Sequence, residues 1–164
     1  MNSVSITPIA ISDVESFHAC LDAVAREQEY LALTEAPPLE DVRGFVTSNV
    51  VSRVPQVVAK DAGLVVGWCD ITPGWHQTLR HCGSLGMGVL RAYRGRGIGR
   101  ELLSACVDLA KAGGMTRVEL EARADNLAAL ELYRRFGFVQ EGTRRRGMRV
   151  NGEYKDTVAM GLLL

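Results

Sequence analysis

A glycine-rich turn between an apolar strand and an apolar helix constrains this sequence more than any other feature. Gly95, Gly97 and Gly99 stand at alternate positions, shortly after a predicted strand that ends at Val89. The helix that follows stops at Gly113-Gly114, and its predicted buried positions are Ile98, Leu102, Cys106 and Leu109. Glycines let the backbone turn tightly and aim several N–H groups at one point, where the helix N-terminus adds about half a positive charge. The turn is therefore suited to bind a phosphate or pyrophosphate.

The residues around the glycines narrow the choice of ligand. Arg94, Arg96 and Arg100 add cationic donors beside the backbone amides. The turn is not a nucleotide-binding P-loop, because no Gly-Lys-Ser/Thr follows, and its G-x-G-x-G spacing differs from the G-x-G-x-x-G of dinucleotide folds. Taken alone, the segment also fits a tight strand-to-helix turn that carries surface arginines.

Apolar periodicity predicts a strand and two helices in the first part of the chain. A short strand is expected over Val4–Ile9, and Ser12–Glu15 fits the S-x-x-E capping box that opens a helix. The apolar face of the first helix is Phe17, Cys20, Leu21 and Val24. After Pro37-Pro38, the face of the second is Val42, Phe45, Val46 and Val50.

The remainder of the chain is rich in β-branched residues and turn signals. Besides a hairpin around Asp61-Ala62-Gly63, strands are predicted over Val54–Ala59, Leu64–Ile71, Ser84–Val89 and Met115–Ala122. Asn151-Gly152 closes a further hairpin between Met148–Val150 and Tyr154–Leu162. The order of elements predicts an α+β, or mixed α/β, domain around one central sheet.

Length, charge and cysteine use exclude several classes of protein. The 164 residues fit one domain, and 47% hydrophobic with 23% charged residues is ordinary for a globular protein. The formal net charge of zero predicts neither a nucleic-acid nor an anionic-membrane partner. The four cysteines lack C-x-x-C or metal-ligand spacing, which indicates buried thiols in a reducing compartment.

The start of the chain and its apolar runs bear on location. Met1–Pro8 lacks the basic start and apolar run of a signal peptide. No apolar stretch approaches the ~18 residues that span a bilayer. We therefore expect a cytoplasmic protein.

Two blocks of sequence together resemble the GNAT superfamily of N-acetyltransferases. Arg94–Gly99 matches the Gln/Arg-x-x-Gly-x-Gly/Ala signature of that family. Leu120–Phe138 resembles its strand, Asn-led helix and LYxxxGF segment, whereas the N-terminal part matches only in its order of elements. The resemblance implies a single GNAT domain over residues 1–164, with a central, mostly antiparallel twisted sheet of roughly six to seven strands flanked by about four helices.

The resemblance also implies acetyl-CoA as the acyl donor, with no metal. In the family the loop amides bind the CoA pyrophosphate, which here implicates Arg94, Gly95, Arg96, Gly97, Ile98, Gly99 and Arg100. The strand backbone that pairs with the pantetheine arm is that of Met87, Gly88 and Val89. Asn126 and Tyr133 complete the predicted cofactor site, although Asp125 or Asn126 also fits the cap of a helix that begins at Leu127.

Tyr133 is the predicted general acid. A phenol with a pKa of about 10 stays protonated at neutral pH and, when positioned, can protonate the departing CoA thiolate. A backbone N–H at the splayed end of Ser84–Val89 is expected to polarise the thioester carbonyl. The alternative role of Tyr133 is that of an amphipathic residue at the edge of the core beside Leu130, displaced from an apolar stripe of Ala129, Leu132 and Phe136.

Glu121 is the predicted base that deprotonates the amine. It resembles the glutamate that ribosomal-protein N-terminal acetyltransferases use as base, and it also fits an exposed strand carboxylate. The other candidates are Asp70, Glu29, Glu35 and a chain of water molecules.

The acceptor is predicted to be a small primary amine such as a free amino acid. The predicted substrate-binding residues are Glu29, Tyr30, Glu35 and Asp70, whose carboxylates suit an ammonium, while Arg144–Arg149 beside Tyr154 suits a carboxylate or a solvated strand face. Arg26–Pro38 and Arg149–Met160 resemble segments of bacterial amino-acid and phosphinothricin acetyltransferases. The alternatives are N-terminal acetylation of a protein or peptide, and a catalytically silent acyl-CoA-binding module. Homodimers are common among such folds.

Overall fold

The computed structural model describes residues 4–164, in which seven strands and four helices are arranged around one sheet. In chain order the elements are β1 (Ser5–Pro8), α1 (Val14–Arg26), α2 (Leu39–Ser52), β2 (Gln56–Asp61), β3 (Leu64–Pro73), β4 (Cys82–Val89), α3 (Ile98–Ala112), β5 (Arg117–Arg123), α4 (Leu127–Phe136), β6 (Val139–Val150) and β7 (Glu153–Leu163). None of these four helices is long and apolar enough to cross a membrane. Residues 1–3, part of the segment considered for a signal peptide, lie outside the described residues.

The sheet confirms the predicted mixed, mostly antiparallel topology. Its strand order is β1-β2-β3-β4-β5-β7-β6, and among the strands of residues 4–164 only the β4–β5 pair is parallel. Ala62 and Gly63 close the β2–β3 hairpin, and Asn151 and Gly152 close the β6–β7 hairpin. All four residues have positive φ, as type I′ turns require. Each turn fixes the register in which the two strands beside it begin to pair.

Two hydrophobic cores hold the helices on opposite faces of the sheet. α3 and α4 pack on one face around Leu102. α1 and α2 pack on the other, where the rings of Phe17 and Trp68 meet edge to face with centroids 5.8 Å apart. Because side chains alternate along a strand, Cys69 joins the first core, whereas Asp70 shares the α1–α2 face with Trp68.

The predicted capping box at Ser12 and Glu15 is wrong. A short 3-10 turn over Ile11–Asp13 precedes α1, and the Ala10 N–H donates to Asp13 Oδ2 at 2.9 Å. The acidic residue that reaches back across the helix start is therefore Asp13. Glu15 instead pairs with Arg43 of α2, at 2.6 Å between Nη2 and Oε1.

The buried face of α2 differs from the prediction. Val42, Val46 and Asn49 are buried, whereas Phe45 and Val50 are exposed. The polar Asn49 can occupy an inner position because its Nδ2 donates to the buried Gln56 Oε1 at 2.9 Å. Apolar periodicity cannot predict this hydrogen bond, because it joins a helix residue to a residue of the following strand.

The apolar stripes of α3 and α4 are also shifted. α3 leaves Leu109 exposed and buries Ile98, Leu102, Leu103, Cys106, Val107 and Ala110. α4 buries Leu130 and Tyr133, while Ala129, Leu132 and Phe136 are only half-buried. Apolar residues at adjacent helical spacings define two neighbouring stripes, and tertiary packing decides which one faces the sheet.

Candidate active site

β4 parts from its neighbour β5 halfway along its length. The two strands pair only from Cys82 to Ser84, whereas β4 continues to pair with β3 as far as Val89. Beyond Ser84 one edge of β4 therefore has no strand beside it. The predicted pantetheine-binding residues Met87, Gly88 and Val89 lie on this open edge.

A cavity of about 430 Å³ lies at this opening, between the end of β4, the glycine turn and α4. Of the predicted cofactor residues it is lined by Met87, Gly88, Val89, Arg94, Gly95, Gly97, Ile98, Gly99, Arg100, Asn126 and Tyr133. Arg96 does not line it. The wall also contains residues that the sequence did not predict to bind the cofactor, namely Val24, Tyr30, Leu31, Tyr93, Ala128, Ala129 and Leu132. The structure thus brings almost the whole predicted cofactor set to one cavity.

The glycine turn has the backbone conformation that the sequence predicts. Gly95 and Gly97 have φ of +74° and +83°, in the left-handed region that favours glycine. Gly97 is the N-cap of α3 and makes no side-chain capping bond, so the amides at the start of the helix stay available to a ligand. The turn therefore presents an anion site at a helix N-terminus.

Arg94 braces the turn from within. Its Nε donates to the Val89 carbonyl at 2.9 Å, and its guanidinium forms a two-point ion pair with Glu27, at 2.9 and 3.0 Å. Arg91 also approaches Glu27, at 3.4 Å, and pairs with Glu29 at 2.7 Å. The charge of Arg94 is thus already compensated by the end of α1, which indicates that this side chain positions the turn.

Arg96 and Arg100 remain as exposed cations beside the glycines. The Arg96 guanidinium lies over the Tyr93 ring, 5.2 Å from its centroid. The Tyr93 hydroxyl donates to Asp61 Oδ2 at 2.7 Å, and this hydrogen bond raises the pKa of the phenol. The Tyr93 ring, against which Arg96 packs, is thereby held at the β2–β3 turn.

Asn126 and Tyr133 reach the cavity from α4. Asn126 is the N-cap of α4, and its Oδ1 accepts a hydrogen bond from the Ala129 N–H at 3.2 Å, which confirms the capping interpretation. Tyr133 is only 7% exposed, and its ring lies 5.7 Å from that of Phe138. Burial raises the pKa of the Tyr133 phenol above its usual range, so the hydroxyl keeps its proton at neutral pH.

Glu121 lies on β5, beyond the point where β4 and β5 separate. Both of its carboxylate oxygens are engaged: Oε1 accepts a hydrogen bond from the Thr157 hydroxyl, and Oε2 pairs with Arg144 at 2.8 Å. The predicted base is thus tied to both strands of the β6–β7 hairpin.

A second cavity, of about 380 Å³, opens on the α1–α2 face of the sheet. Asp70, Gly86 and Met87 come from β3 and β4, and the remaining lining residues are Phe17, Leu21, Leu31, Ala32, Leu33, Pro37, Asp41, Val42, Phe45 and Trp68. Burial, which removes the carboxyl from water, raises the pKa of Asp70 to about 7. The cavity is therefore apolar, with one protonatable carboxyl at its strand side.

Only one of the four predicted substrate-binding residues lies in this second cavity. Asp70 lines it, whereas Tyr30 lines the first cavity. Glu29 pairs with Arg91, and Glu35 is exposed and lies 3.3 Å from Arg26. The apolar walls could not be predicted from the sequence, because apolar residues follow the same periodicity whether they face a pocket or the core.

The arginine cluster of β6 also lies outside the second cavity. Arg144 pairs with Glu121, and the guanidinium groups of Arg146 and Arg149 lie 4.8 and 5.3 Å from the centroid of the Tyr154 ring. The predicted contact of these arginines with an acceptor carboxylate is therefore not found in the lining of this pocket.

The two cavities share Leu31 and Met87 among their lining residues and therefore adjoin one another. Such an arrangement suits the transfer of a group from a phosphate-bearing cofactor to a separate acceptor. A family model described as the acetyltransferase (GNAT) family matches residues 19–138, more than half of the sequence. The chain belongs to this family.

Two relatives and one solved structure are also similar to this chain. The N-alpha-acetyltransferase RimI of Mycobacterium tuberculosis is 45% identical over 101 residues, which are 58% of this chain and 59% of RimI, so less than two thirds of that relative is spanned. The L-amino acid N-acetyltransferase AaaT of Escherichia coli is 31% identical over 65% of this chain and 67% of AaaT. The structure of yncA from Salmonella typhimurium with its cofactor acetyl-CoA is 18% identical, covers 99% of this chain and 94% of its own, and has a TM-score of 0.92. At that identity the likeness shows the shared fold.

Proposed function

We propose that this chain transfers an acetyl group from acetyl-CoA to a small primary amine by direct attack in a ternary complex. The observation that carries the proposal is the meeting of the two cavities at Leu31 and Met87, beside the open edge of β4. One cavity has the donors for a phosphate-bearing cofactor, and the other has room and a carboxyl for an amine. Direct transfer requires the thioester carbon and the amine nitrogen to meet without a covalent enzyme intermediate.

The cofactor is held by backbone amides and by two cations. The pyrophosphate would bind the amides of Gly95–Gly99 at the start of α3, with Arg96 and Arg100 as charged partners. The pantetheine arm would pair with the open edge of Met87–Val89. Asn126, at the start of α4, lines the same cavity and could contact the arm there. When bound, acetyl-CoA supplies the activated acetyl thioester.

The transfer needs an oxyanion donor and an acid. A backbone N–H on the open edge of β4 can donate to the carbonyl oxygen as negative charge develops there. Tyr133 lines the same cavity with a protonated hydroxyl and can give its proton to the CoA sulfur as the C–S bond breaks. Tyr133 is therefore proposed as the general acid.

Two carboxylates compete for the role of base. Glu121 is the base that the sequence predicts, and its ion pair with Arg144 and hydrogen bond from Thr157 would have to loosen for it to accept a proton. Within residues 4–164, Asp70 has no comparable ion pair or hydrogen bond, and it lines the second cavity directly. Glu121→Gln and Asp70→Asn distinguish the two candidates, because each removes one carboxylate.

Different relatives favour different acceptors. The relation to AaaT, named an L-amino acid N-acetyltransferase, supports a free amino acid or a similar small amine. The relation to RimI, named an N-alpha-acetyltransferase, supports the alternative of a protein or peptide N-terminus. The limited volume of the second cavity, about 380 Å³, favours the small amine. The silent acyl-CoA-binding module is the least favoured alternative, because Tyr133 lies in the cofactor cavity.

We further propose that residues 1–164 act as one acetyltransferase domain in the cytoplasm. The free thiols of Cys20, Cys69, Cys82 and Cys106 support a reducing compartment. The predicted homodimer would be tested by sedimentation equilibrium.

Release of the CoA thiol from acetyl-CoA tests the function. The panel contains free amino acids, polyamines, aminoglycosides, simple alkyl and arylalkyl amines and N-terminal peptides, with Tyr133→Phe run alongside. Release with a small amine but not with peptides, cut at least about tenfold by the substitution, is the expected result. Release that Tyr133→Phe leaves unchanged would remove the general-acid assignment, and saturable acetyl-CoA binding without release from any amine would favour the silent module.

A further inference from the structure

We propose that Asp70 takes the proton from the substrate ammonium, and that the cavity around it selects a primary amine with an apolar body and no carboxylate beside the nitrogen. This inference rests on the proposed function and names its substrate class. It follows from the position of Asp70, from its surroundings and from the charges of the cavity.

Asp70 lies directly beside the strand that would hold the thioester. It pairs in register with Gly86 of β4, next to Met87, which the two cavities share. A Cβ on Gly86 would lie 3.6 Å from each Asp70 carboxylate oxygen. The absence of a side chain at this position therefore leaves space over the carboxyl, within the second cavity.

The surroundings of Asp70 favour proton exchange over a fixed ion pair. The walls are apolar, with Phe17, Trp68 and Val42 among them. Burial raises the pKa of Asp70 to about 7, whereas the carboxylate of Glu121 is engaged by a cation and a hydroxyl. A base serves best when its pKa lies near the working pH, and low polarity also lowers the pKa of a bound ammonium.

The charges of the cavity define the substrate class. Its titratable lining groups are Asp70 and, on α2, the exposed Asp41; no Lys, Arg or His belongs to the lining within residues 4–164. On α1, His18 lies next to Phe17 in sequence, and its Nε2 is 2.9 Å from the Pro37 carbonyl oxygen. An amino acid bound here would bring its carboxylate towards two acidic groups without a cation to receive it. An alkyl or arylalkyl amine avoids that repulsion and buries its apolar body.

The step balances without any further reactant. The ammonium gives one proton to Asp70, and the neutral nitrogen attacks the acetyl carbon to form the N–C bond. The C–S bond then breaks, Tyr133 gives its proton to the sulfur, and the nitrogen releases its second proton as the phenol is restored. The products are the amide and the CoA thiol, and Asp70 returns its proton to water.

Three substrates that differ only beside the nitrogen test the selectivity. Phenethylamine, phenylalaninamide and phenylalanine share one apolar body and carry nothing, a neutral amide or a carboxylate. We expect kcat/KM to be at least about tenfold higher for phenethylamine than for phenylalanine, with the amide between them. A preference for phenylalanine overturns the inference and leaves the proposed function in place. No release from any amine or peptide overturns the proposed function itself.

Asp70→Asn tests the base, with Asp108→Asn on the exposed side of α3 as the matched control. We expect the first to lower kcat/KM for phenethylamine by about 100-fold or more at neutral pH, and the control to change it less than twofold. The dissociation constant of acetyl-CoA, measured by calorimetry, should be the same in both variants, which shows that the fold is intact. Unchanged kcat/KM in Asp70→Asn overturns the assignment.

The pH profile separates a base from a structural carboxylate. In the native protein kcat/KM should rise tenfold per pH unit up to about 7, where Asp70 ionises, and then level off. In Asp70→Asn it should keep rising towards the pKa of the free amine, because only the neutral amine can then react. Parallel pH profiles in the two proteins overturn the role of Asp70. If Glu121→Gln instead abolishes the rise of kcat/KM below about pH 7, the base is Glu121.

Discussion

Asp70→Asn should make the protein more stable at neutral and alkaline pH. The pKa of Asp70 is about 7 in the folded protein, against an ordinary value of 3.8 that applies to the unfolded chain. Between these two values the folded state holds the proton more tightly, so ionisation of Asp70 costs stability increasingly as the pH rises from 3.8 to about 7. Below this window the penalty is absent, and above it the penalty is complete. Asparagine has nearly the same shape and no charge to desolvate.

The size of the penalty follows from the two pKa values. At about 1.36 kcal/mol per pH unit, the interval corresponds to about 4 kcal/mol. Asp70 is half-buried and opens to a cavity, so water reduces the penalty, and we expect about 2 kcal/mol above pH 7. For a chain of 164 residues this corresponds to a rise in Tm of about 4–8 °C.

Thermal unfolding followed by circular dichroism at several pH values measures the effect. The difference in Tm between Asp70→Asn and the native protein should be near zero at about pH 4 and should grow up to about pH 7. Asp108→Asn, which removes an exposed carboxylate of α3, should show no such trend. A difference that is independent of pH, or an asparagine variant less stable at about pH 8, would refute the reasoning.

Three further outcomes follow from the site. Tyr133→Phe should lower kcat at least about tenfold while the dissociation constant of acetyl-CoA stays within about twofold, as stopped-flow and calorimetry would show, and equal losses in binding would contradict a purely chemical role. Glu27→Gln should weaken acetyl-CoA binding by about three- to tenfold because the loop arginine loses its brace, with Glu15→Gln on the same helix as control, and tighter binding would instead show that the freed arginine binds phosphate. Gly97→Ala should weaken acetyl-CoA binding more than Gly99→Ala, because φ at Gly97 is +83° whereas a Cβ at Gly99 would make contacts of 3.4–3.5 Å, and the reverse order would contradict this.

The cofactor half of the site could be predicted because it depends on backbone conformation. Gly95 and Gly97 fix the turn locally, and the Asn126 cap needs only the residues that follow it. Such short-range constraints are visible in sequence order. The sheet and its hairpins were predictable for the same reason, since Asn151-Gly152 carries its own turn type.

The acceptor half depends on contacts between distant segments. Asp70 lies in a cavity whose walls include residues as far apart in sequence as Phe17 and Met87. Phe45 falls in an apolar pattern and was therefore expected in the core, yet it lines the second cavity. Periodicity tells which residues avoid water but not whether they face protein or a ligand.

The open edge of β4 links cofactor binding to the stability of the fold on the proposed function. Beyond Ser84 this edge of β4 is not paired with β5, and an unpaired strand edge can associate with another chain. On the proposed function, the amide-bearing pantetheine arm occupies this edge. A ligand at a hundred times its dissociation constant adds about 2.7 kcal/mol to the free energy of unfolding. On the proposed function, acetyl-CoA would therefore cover the open edge and raise the free energy of unfolding in the same binding event.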